Sequence, residues 1–231
     1  LARNSHYYIS NEHGHVGWSS ILSGQPGGSL LGVGTDQNYL LAGWKRPDLL
    51  LLMDFDKEVV RTHGLYRLFF LHAPSPADMI ALWSKKKGVN EQVKTWITEE
   101  YGDVTDKAAR TCGKTCKAMM ATYRRAKKVV FYRLKNTQQQ YEKLRVPCFL
   151  TDAAQYAHIV DLFQKNRVFA FRGDLTQHGL AQVSKALKQT GRTLDVIYLS
   201  NAERYFPYTT QEKNVSFFKE HFSDLPWNPS S

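Results

Sequence analysis

No stretch of this 231-residue sequence is apolar for long enough to cross a membrane as a helix. The longest apolar runs, such as Leu49–Met53, are far shorter than the roughly 20 residues that a bilayer requires. The opening residues 1–6 also lack the charged start, the apolar stretch and the small-residue exit of a secretory signal. Because the chain begins at Leu1 rather than at Met, the sequence excludes neither an upstream segment nor export of the protein.

Cysteine is scarce, with three residues at positions 112, 116 and 148. So small and odd a number does not form a disulfide framework, and it favours a reducing compartment such as the cytoplasm. Cys112 and Cys116 are four residues apart, which puts them on one face if this segment is helical. A zinc site there would need two further Cys or His ligands. We therefore predict isolated cysteines and no metal site.

Acidic residues are outnumbered, with 21 Asp and Glu against 31 Lys and Arg and a formal charge of +10. A positive field of this size favours encounter with nucleic acid, an anionic envelope polymer or an acidic small molecule, and it does not choose among them. The hydrophobic fraction of 42% and the aromatic fraction of 13% are those of a folded globular protein. The length suits a single domain.

Two nucleotide-binding motifs are incomplete. The dinucleotide fingerprint G-x-G-x-x-G begins at Gly32 and Gly34, but its third glycine position holds Gln37. The phosphate-cradling motif G-x-x-x-x-G-K-[ST] ends correctly at residues 113–115, but Ala108 takes the place of its first glycine. These gaps argue against a dinucleotide and against ATP at those positions.

Short apolar runs alternate with segments of helical spacing along most of the chain. The predicted elements are strand 30–34, helix 38–44, strand 48–53, helices 57–72 and 77–86, strand 146–150, helix 152–164, strand 167–172, helix 180–190, strand 194–199 and helix 210–222. Residues 89–145 are rich in Lys, Arg, Gln and Thr and are predicted to be a helical insertion without strands. Strands that alternate with helices imply right-handed crossovers. We therefore predict one α/β domain over residues 1–231, with a Rossmann-like, mostly parallel sheet flanked by helices.

Polar or glycine-rich residues follow four of these strands, where ligands bind in open parallel sheets. The glycines at 32 and 34 let the backbone approach a ligand closely. Asp54 lies 20 residues beyond Gly34, the distance at which an acidic residue can accept hydrogen bonds from ribose hydroxyls. Asp174 could accept from the amino group of adenine, although an Asp after a strand is often only a helix cap. The predicted cofactor-binding residues are Gly32, Gly34, Asp36, Asn38, Asp54, Gly173, Asp174 and Ser200.

The order of these segments resembles that of class I S-adenosylmethionine-dependent methyltransferases. The glycine turn at 32–34, Asp54, the pair at 173–174 and the turn at 200–201 match the four cofactor and active-site segments of that family in order. The runs LLGVGTDQNYLLAGWKRPDLLLLMDFD, VFAFRGDLT and VIYLSNAERYF are also similar to a bacterial family that carries this fold. The resemblance covers residues 30–72 and 146–222.

This resemblance implies S-adenosyl-L-methionine as the cofactor and transfer of its methyl group to an O, N or S atom of a substrate. It assigns Asn201, Glu203 and Tyr205 to the substrate side, with Asn201 holding the nucleophile and Glu203 acting as base. The alternative is that Asn201 caps a turn and Glu203 forms an ion pair in solvent. The family has an acidic residue where this chain has Leu30, and a third glycine where it has Asp36. The Asp36 carboxylate either faces the positive charge of the cofactor or blocks the pocket.

A basic stripe, nearly free of acids, follows in the predicted insertion. Its members recur at helical spacing and are Lys107, Arg110, Lys114, Lys117, Arg124 and Lys128. The simplest interpretation is a solvated helix face. The alternative is a docking surface for a polyanion, although aromatic residues that could stack on bases are few. The sequence therefore supports a methyltransferase, or a non-catalytic module of the same fold that engages an anionic partner, with aminopropyl transfer as a third option.

Overall fold

A computed structural model of the chain describes residues 6–106, 109–202 and 218–229. The strands in these ranges are β1 (Ser29–Val33), β2 (Leu49–Asp54), β3 (Asp103–Asp106), β4 (Ala109–Thr111), β5 (Val168–Arg172) and β6 (Val196–Tyr198). The helices are α1 (Ser19–Ser23), α2 (Gln37–Lys45), α3 (Lys57–His72), α4 (Pro76–Leu82), α5 (Lys87–Tyr101), α6 (Lys114–Leu144), α7 (Ala153–Gln164) and α8 (Gly179–Gln189). A 3-10 turn over His15–Trp18 precedes α1, and residues 218–223 are helical.

Four parallel strands form the central sheet, in the order β5-β2-β1-β6. The two inner strands, β1 and β2, pair from Ser29 opposite Leu49 to Val33 opposite Met53. Every residue of both strands is buried, as expected for apolar runs that are covered on both faces. The prediction of an α/β protein with a parallel sheet flanked by helices is therefore confirmed.

Alternate residues of the inner strands pack into two hydrophobic clusters, because successive side chains of a strand point to opposite faces. Leu30 and Leu52 pack with α2, α3, α6 and α7. Leu31 and Leu51 pack with α8 and with apolar side chains of residues 218–227. After β5 the chain returns across the sheet to place β6 beside β1, and a right-handed crossover in that direction puts α8 on the second face. Parallel sheets form a ligand crevice at such a reversal, here beyond the carboxyl ends of β1 and β6.

The segment 89–145 differs from the prediction in one respect. It contains two helices, α5 and α6, as expected of a helical insertion, but an antiparallel pair of strands, β3 and β4, joins them. These strands are too short and too polar for an alternating apolar pattern to show in the sequence. Val93, Ile97 and Met119 of this segment are buried in the same cluster as β1.

The prediction of a strand over 146–150 is wrong, because this segment is a turn. The carbonyl oxygen of Cys148 accepts the N–H groups of Thr151 and Asp152, each at 2.8 Å. Phe149 and Leu150 are nevertheless buried, and a short apolar run looks the same in a strand and in a buried turn. The helix predicted to reach residue 86 ends at 82.

The prediction of isolated cysteines is also wrong for two of the three. Cys112 and Cys116 form a disulfide, with their Cα atoms 5.1 Å apart, while Cys148 is a buried free thiol. Because α6 begins at Lys114, Cys112 lies just before the helix and its sulfur turns back onto the first turn. The odd number of cysteines therefore reflects one pair and one free thiol.

The 31-residue helix α6 is the longest of the described helices. Its buried residues, among them Met119, Tyr123 and Leu134, pack toward α3 and α5. Its other side is exposed and carries many lysines and arginines. Across the described ranges, neither α6 nor any other helix is both long and apolar enough to cross a membrane.

Candidate functional site

The turn after β1 is packed with side chains from the first turn of α2. The side chain of Asn38 lies against Gly32, where a Cβ atom would overlap it, and its amide donates to the carbonyl oxygen of Val33 at 3.3 Å. Gln37 donates to the same carbonyl at 2.8 Å and accepts the N–H of Thr35 at 3.1 Å. Both side chains are fully buried. Gly32 therefore makes room for Asn38 in this arrangement, rather than leaving the backbone open to a ligand.

Asp36 is directed away from the turn, toward the N-terminal residues and α6. Its carboxylate accepts the N–H of Ser10 at 2.6 Å and the Nε–H of Arg133 at 2.8 Å. Asp36 is 2% exposed and the Arg133 side chain 13%, so this is a buried ion pair. The sequence left two roles open for the Asp36 carboxylate, which were to face the cofactor or to block the pocket. In the structure, an arginine of α6 neutralises this carboxylate instead.

Three of the predicted positions converge at the ends of β1, β2 and β5. The Asp54 carboxylate accepts backbone N–H groups from Gly34, Phe55 and Asp56. The N–H of Gly173 donates to the Asp54 carbonyl oxygen at 3.1 Å. Burial raises the pKa of Asp54 to about 6, although these hydrogen bonds oppose the shift. Asp54 thus lies where the sequence predicts it, at the end of β2, but its carboxylate is engaged by neighbouring backbone N–H groups.

Asp174 caps the turn that leads into α8. Its carboxylate accepts the N–H and hydroxyl of Thr176 at 2.8 and 2.7 Å, and the Gln177 amide at 3.1 Å. The neighbouring Gly173 packs against the sulfur of Met53, where a Cβ atom would not fit. The acceptors that we predict for an adenine amino group are therefore engaged by the turn itself.

Ser200 and Asn201, beyond β6, contact residues close to the N-terminus. Ser200 has a left-handed backbone, with φ 58°, and its hydroxyl donates to Glu12 at 3.0 Å. The amide of Asn201 donates to the side-chain oxygen of Asn11 at 3.3 Å. The other residues that the sequence assigns to the substrate side, Glu203 and Tyr205, lie outside the described residues.

Residues 6–15, which we call the N-terminal strap, run across the carboxyl ends of the sheet. The strap makes a polar contact beyond each of three strands: His6 with Asp56 after β2 at 2.7 Å, Ser10 with Asp36 after β1, and Glu12 with Ser200 after β6. Sequence reasoning missed it because the segment has no apolar periodicity and its partners are 26 to 190 residues away. In this structure the strap covers the crevice in which we expect a cofactor.

His63 of α3, which the sequence analysis did not single out, supports the turn after β1. His63 is buried, and burial lowers its pKa to about 4, so the ring is neutral at pH 7. Its Nε2 lies 2.8 Å from the carbonyl oxygen of Gly34, which only accepts, so Nε2 carries the proton. Nδ1 then accepts from the hydroxyl of Tyr39 at 2.9 Å. This buried chain fixes the turn against α2 and α3.

A second network ties the strap to the last strand of the sheet. The hydroxyl of Tyr198 donates to the carboxylate of Glu12. The Nε2 atom of His15 lies 2.9 Å from the same hydroxyl and therefore donates to it. Burial lowers the pKa of His15 and raises that of Tyr198. Both rings are neutral at pH 7, and their role here is to hold the strap down.

An open groove of about 890 Å³, which we call the basic groove, lies between the strap and α6. Four strap residues and eight residues of α6 line it, and none of the twelve is an Asp or Glu. Its cations are Arg125, Lys128 and Arg133, and His13 adds an imidazole. Arg133 is neutralised by Asp36, whereas the side chain of Arg125 is 57% exposed. The groove is thus an open, positively charged surface beside the crevice.

The predicted basic stripe is only partly one helix face. Lys114, Lys117, Arg124 and Lys128 are exposed on α6 and, at 100° per residue, lie within about 80° of each other. Arg110 belongs to β4 instead, because α6 begins four residues later, and Lys107 lies outside the described residues. Of the four on α6, Lys128 alone lines the basic groove. The spacing of the basic residues therefore indicated an exposed helix face, but it did not indicate the groove beside it.

A comparison with protein families gives a match over almost all of the region described above. A family model described as "Domain of unknown function (DUF7790)" matches residues 7–231. No curated protein matches the chain. The matched region includes nearly all of the strap, together with the sheet and α6.

Proposed function

Since this chain belongs to the family described as a domain of unknown function (DUF7790), we propose its function from the geometry above. The protein binds an anionic partner in the basic groove, and the parallel sheet with its helices serves as the scaffold. The observation that carries this proposal is the groove lining, in which Arg125 and Lys128 are exposed and carboxylates are absent. A positive, acid-free surface concentrates anions and neutralises their charge on contact.

Arg125 is available to a ligand although it lies near an acid. Its guanidinium is 3.5 Å from the carboxylate of Glu58, a buried residue of α3. That carboxylate already accepts from Arg61 at 2.5 Å and from Thr122 at 2.7 Å, and hydrogen bonds from these residues lower the pKa of Glu58. Glu58 therefore keeps a charged partner, Arg61, and a hydroxyl donor, Thr122, when Arg125 turns toward an anion.

The test is the salt dependence of polyanion binding. We expect a labelled heparin oligosaccharide or a labelled 12-residue oligodeoxythymidylate to bind, with the logarithm of the affinity falling linearly with the logarithm of salt concentration. The double change Arg125→Ala and Lys128→Ala should reduce that slope by about two, one for each lost phosphate or sulfate contact. Fluorescence anisotropy between 50 and 300 mM salt, about the range over which such contacts are screened, measures it.

Lys165→Ala is the matched control, because Lys165 is 58% exposed and lies at the opposite, amino end of the sheet. It should leave the slope unchanged. If neither polyanion binds at the lowest salt, or if Lys165→Ala reduces the slope as much as the groove variants, the groove is not the binding surface.

A second candidate function is S-adenosylmethionine-dependent methyl transfer in the crevice. When the four strands of the sheet are numbered in chain order, they lie side by side as third, second, first and fourth. This is the arrangement of a Rossmann-like half-sheet. The side-chain oxygen of Asn38 is buried without a hydrogen-bond partner among the described residues, so it could accept from a ligand. However, the side chains of Asp36 and Asp54 are engaged with the protein. The crevice therefore does not fit the cofactor in this arrangement, and binding requires the strap to move.

Calorimetry with S-adenosylhomocysteine, the demethylated product, tests this candidate. At pH 8, above the pKa of about 6, Asp54 is ionised and can accept from ribose hydroxyls. Glu12→Ala removes the contact with Ser200 and loosens the strap, so it should tighten binding, because the apparent affinity scales with the open fraction. Asp54→Ala should abolish binding, and Glu91→Ala, on an exposed acid of α5, should change nothing. No heat at millimolar ligand with wild type and Glu12→Ala would exclude the cofactor.

A further inference from the structure

The floor of the basic groove consists of two rows of side chains on α6, each with a spacing of four residues. One row runs Lys128, Tyr132, Asn136 and Gln140, and the other Arg125, Val129, Arg133 and Thr137. Each step of four residues advances about 6 Å along a helix, so each row is about 18 Å long. The groove therefore presents an ordered series of chemically different groups, rather than a uniform positive charge.

Tyr132 presents an aromatic ring to solvent in the middle of the first row. Its side chain is 55% exposed, although an aromatic ring gains by leaving water. The ring meets Phe131 edge-on, with the centroids 5.4 Å apart, and the rest of its surface stays largely exposed. An exposed ring between a lysine and two amides is a platform for a flat ligand group.

The groups on either side of Tyr132 suit the other parts of a nucleotide. Lys128 and Arg125, at one end, can bind phosphate oxygens. Asn136 and Gln140, at the other end, both donate and accept hydrogen bonds, which matches the mixed donors and acceptors of base edges. From the opposite wall Asn11 adds a further amide.

We infer that the ligand of the basic groove is a single-stranded nucleic acid, a deduction that rests on the proposed function. Stacking on Tyr132 requires a base whose face is free, and in a duplex the faces are covered by neighbouring bases. A sulfated polysaccharide or an acidic peptide would use the cations, but only a nucleic acid carries an aromatic base beside every charged group. The phosphates of the strand contact Arg125 and Lys128, and one of its bases stacks on Tyr132.

The test compares a labelled 12-residue oligodeoxythymidylate with an abasic deoxyribose-phosphate oligomer of equal length and charge. Wild type should bind the oligothymidylate more tightly, and Tyr132→Ala should weaken that binding about tenfold, the loss expected for one stacked base. Tyr132→Phe keeps the ring and should retain the affinity. Tyr7→Ala removes a tyrosine that is similarly exposed, at 53%, but lies outside the groove lining, and it should have no effect.

Binding of the abasic oligomer should be unaffected by Tyr132→Ala. If wild type binds the two oligomers equally, or if Tyr132→Ala weakens binding no more than Tyr7→Ala does, the nucleic-acid assignment is overturned. The groove would then still bind polyanions, and the proposed function would stand. If neither oligomer nor heparin binds, the proposed function fails as well.

Discussion

Replacing Arg133 with Met should lower the free energy of unfolding by about 3 kcal/mol, because it leaves the carboxylate of Asp36 buried without its charge partner. Asp36 is 2% exposed and lies 2.8 Å from the guanidinium. Its other contacts are hydrogen-bond donors without charge, including the N–H of Ser10. Urea denaturation at pH 7, followed by circular dichroism, measures the change.

Two further variants separate this effect from the loss of any surface charge. Arg124→Met removes an exposed arginine from the same helix and should change stability by no more than about 0.5 kcal/mol. The double variant Asp36→Asn with Arg133→Met removes both charges and should recover most of the loss, since an uncharged group costs far less to bury. Equal stability of Arg133→Met and Arg124→Met would contradict the buried ion pair.

Gly32→Ala should lower the free energy of unfolding by about 3 kcal/mol, at the upper end of the range for overpacked cores. A Cβ at this position would overlap the side-chain amide of Asn38, which is fully buried and cannot swing into solvent. The strand β1 cannot move away either, because it is paired on both sides. Thermal and urea unfolding of the variant measure the loss.

A second substitution, at Asn38, tests why position 32 is a glycine. Asn38→Ala empties the space in front of Gly32, so the double variant should be more stable than Gly32→Ala alone. Gly88→Ala is the control, since a Cβ there meets no atom within 4 Å, and it should be neutral or slightly stabilising. If Gly32→Ala were tolerated as well as Gly88→Ala, the space before the turn would be open, as a ligand-binding glycine requires.

The sheet and most helices could be predicted because their signals are local. Leu49–Met53 is an unbroken apolar run, typical of a doubly covered strand, whereas the run at 146–150 is interrupted by Pro147. The bounds of α3 match the predicted 57–72, since Asp56 caps its first turn by accepting the N–H of Glu58 at 2.9 Å. Capping residues and hydrophobic periodicity are local patterns, so they can be recognised in the sequence.

The site was less predictable because its contacts are distant in sequence. Nothing near Arg133 distinguishes it from Arg124 in the printed chain, yet Arg133 pairs with the buried Asp36 and Arg124 is exposed. Likewise, a glycine turn looks the same whether the space before it holds a cofactor or the side chain of Asn38. Sequence reasoning therefore found the positions at the strand ends but not what occupies the space between them.

Arg133 touches three parts of the molecule at once: the crevice through Asp36, the strap through the carbonyl oxygen of Glu12 at 3.4 Å, and the basic groove, which it lines. An anion that draws its guanidinium into the groove must loosen both other contacts. Occupancy of the groove and the position of the strap would then be linked equilibria, and each would shift the other by the same factor. Arg133 would be the residue through which the two neighbouring surfaces are coupled.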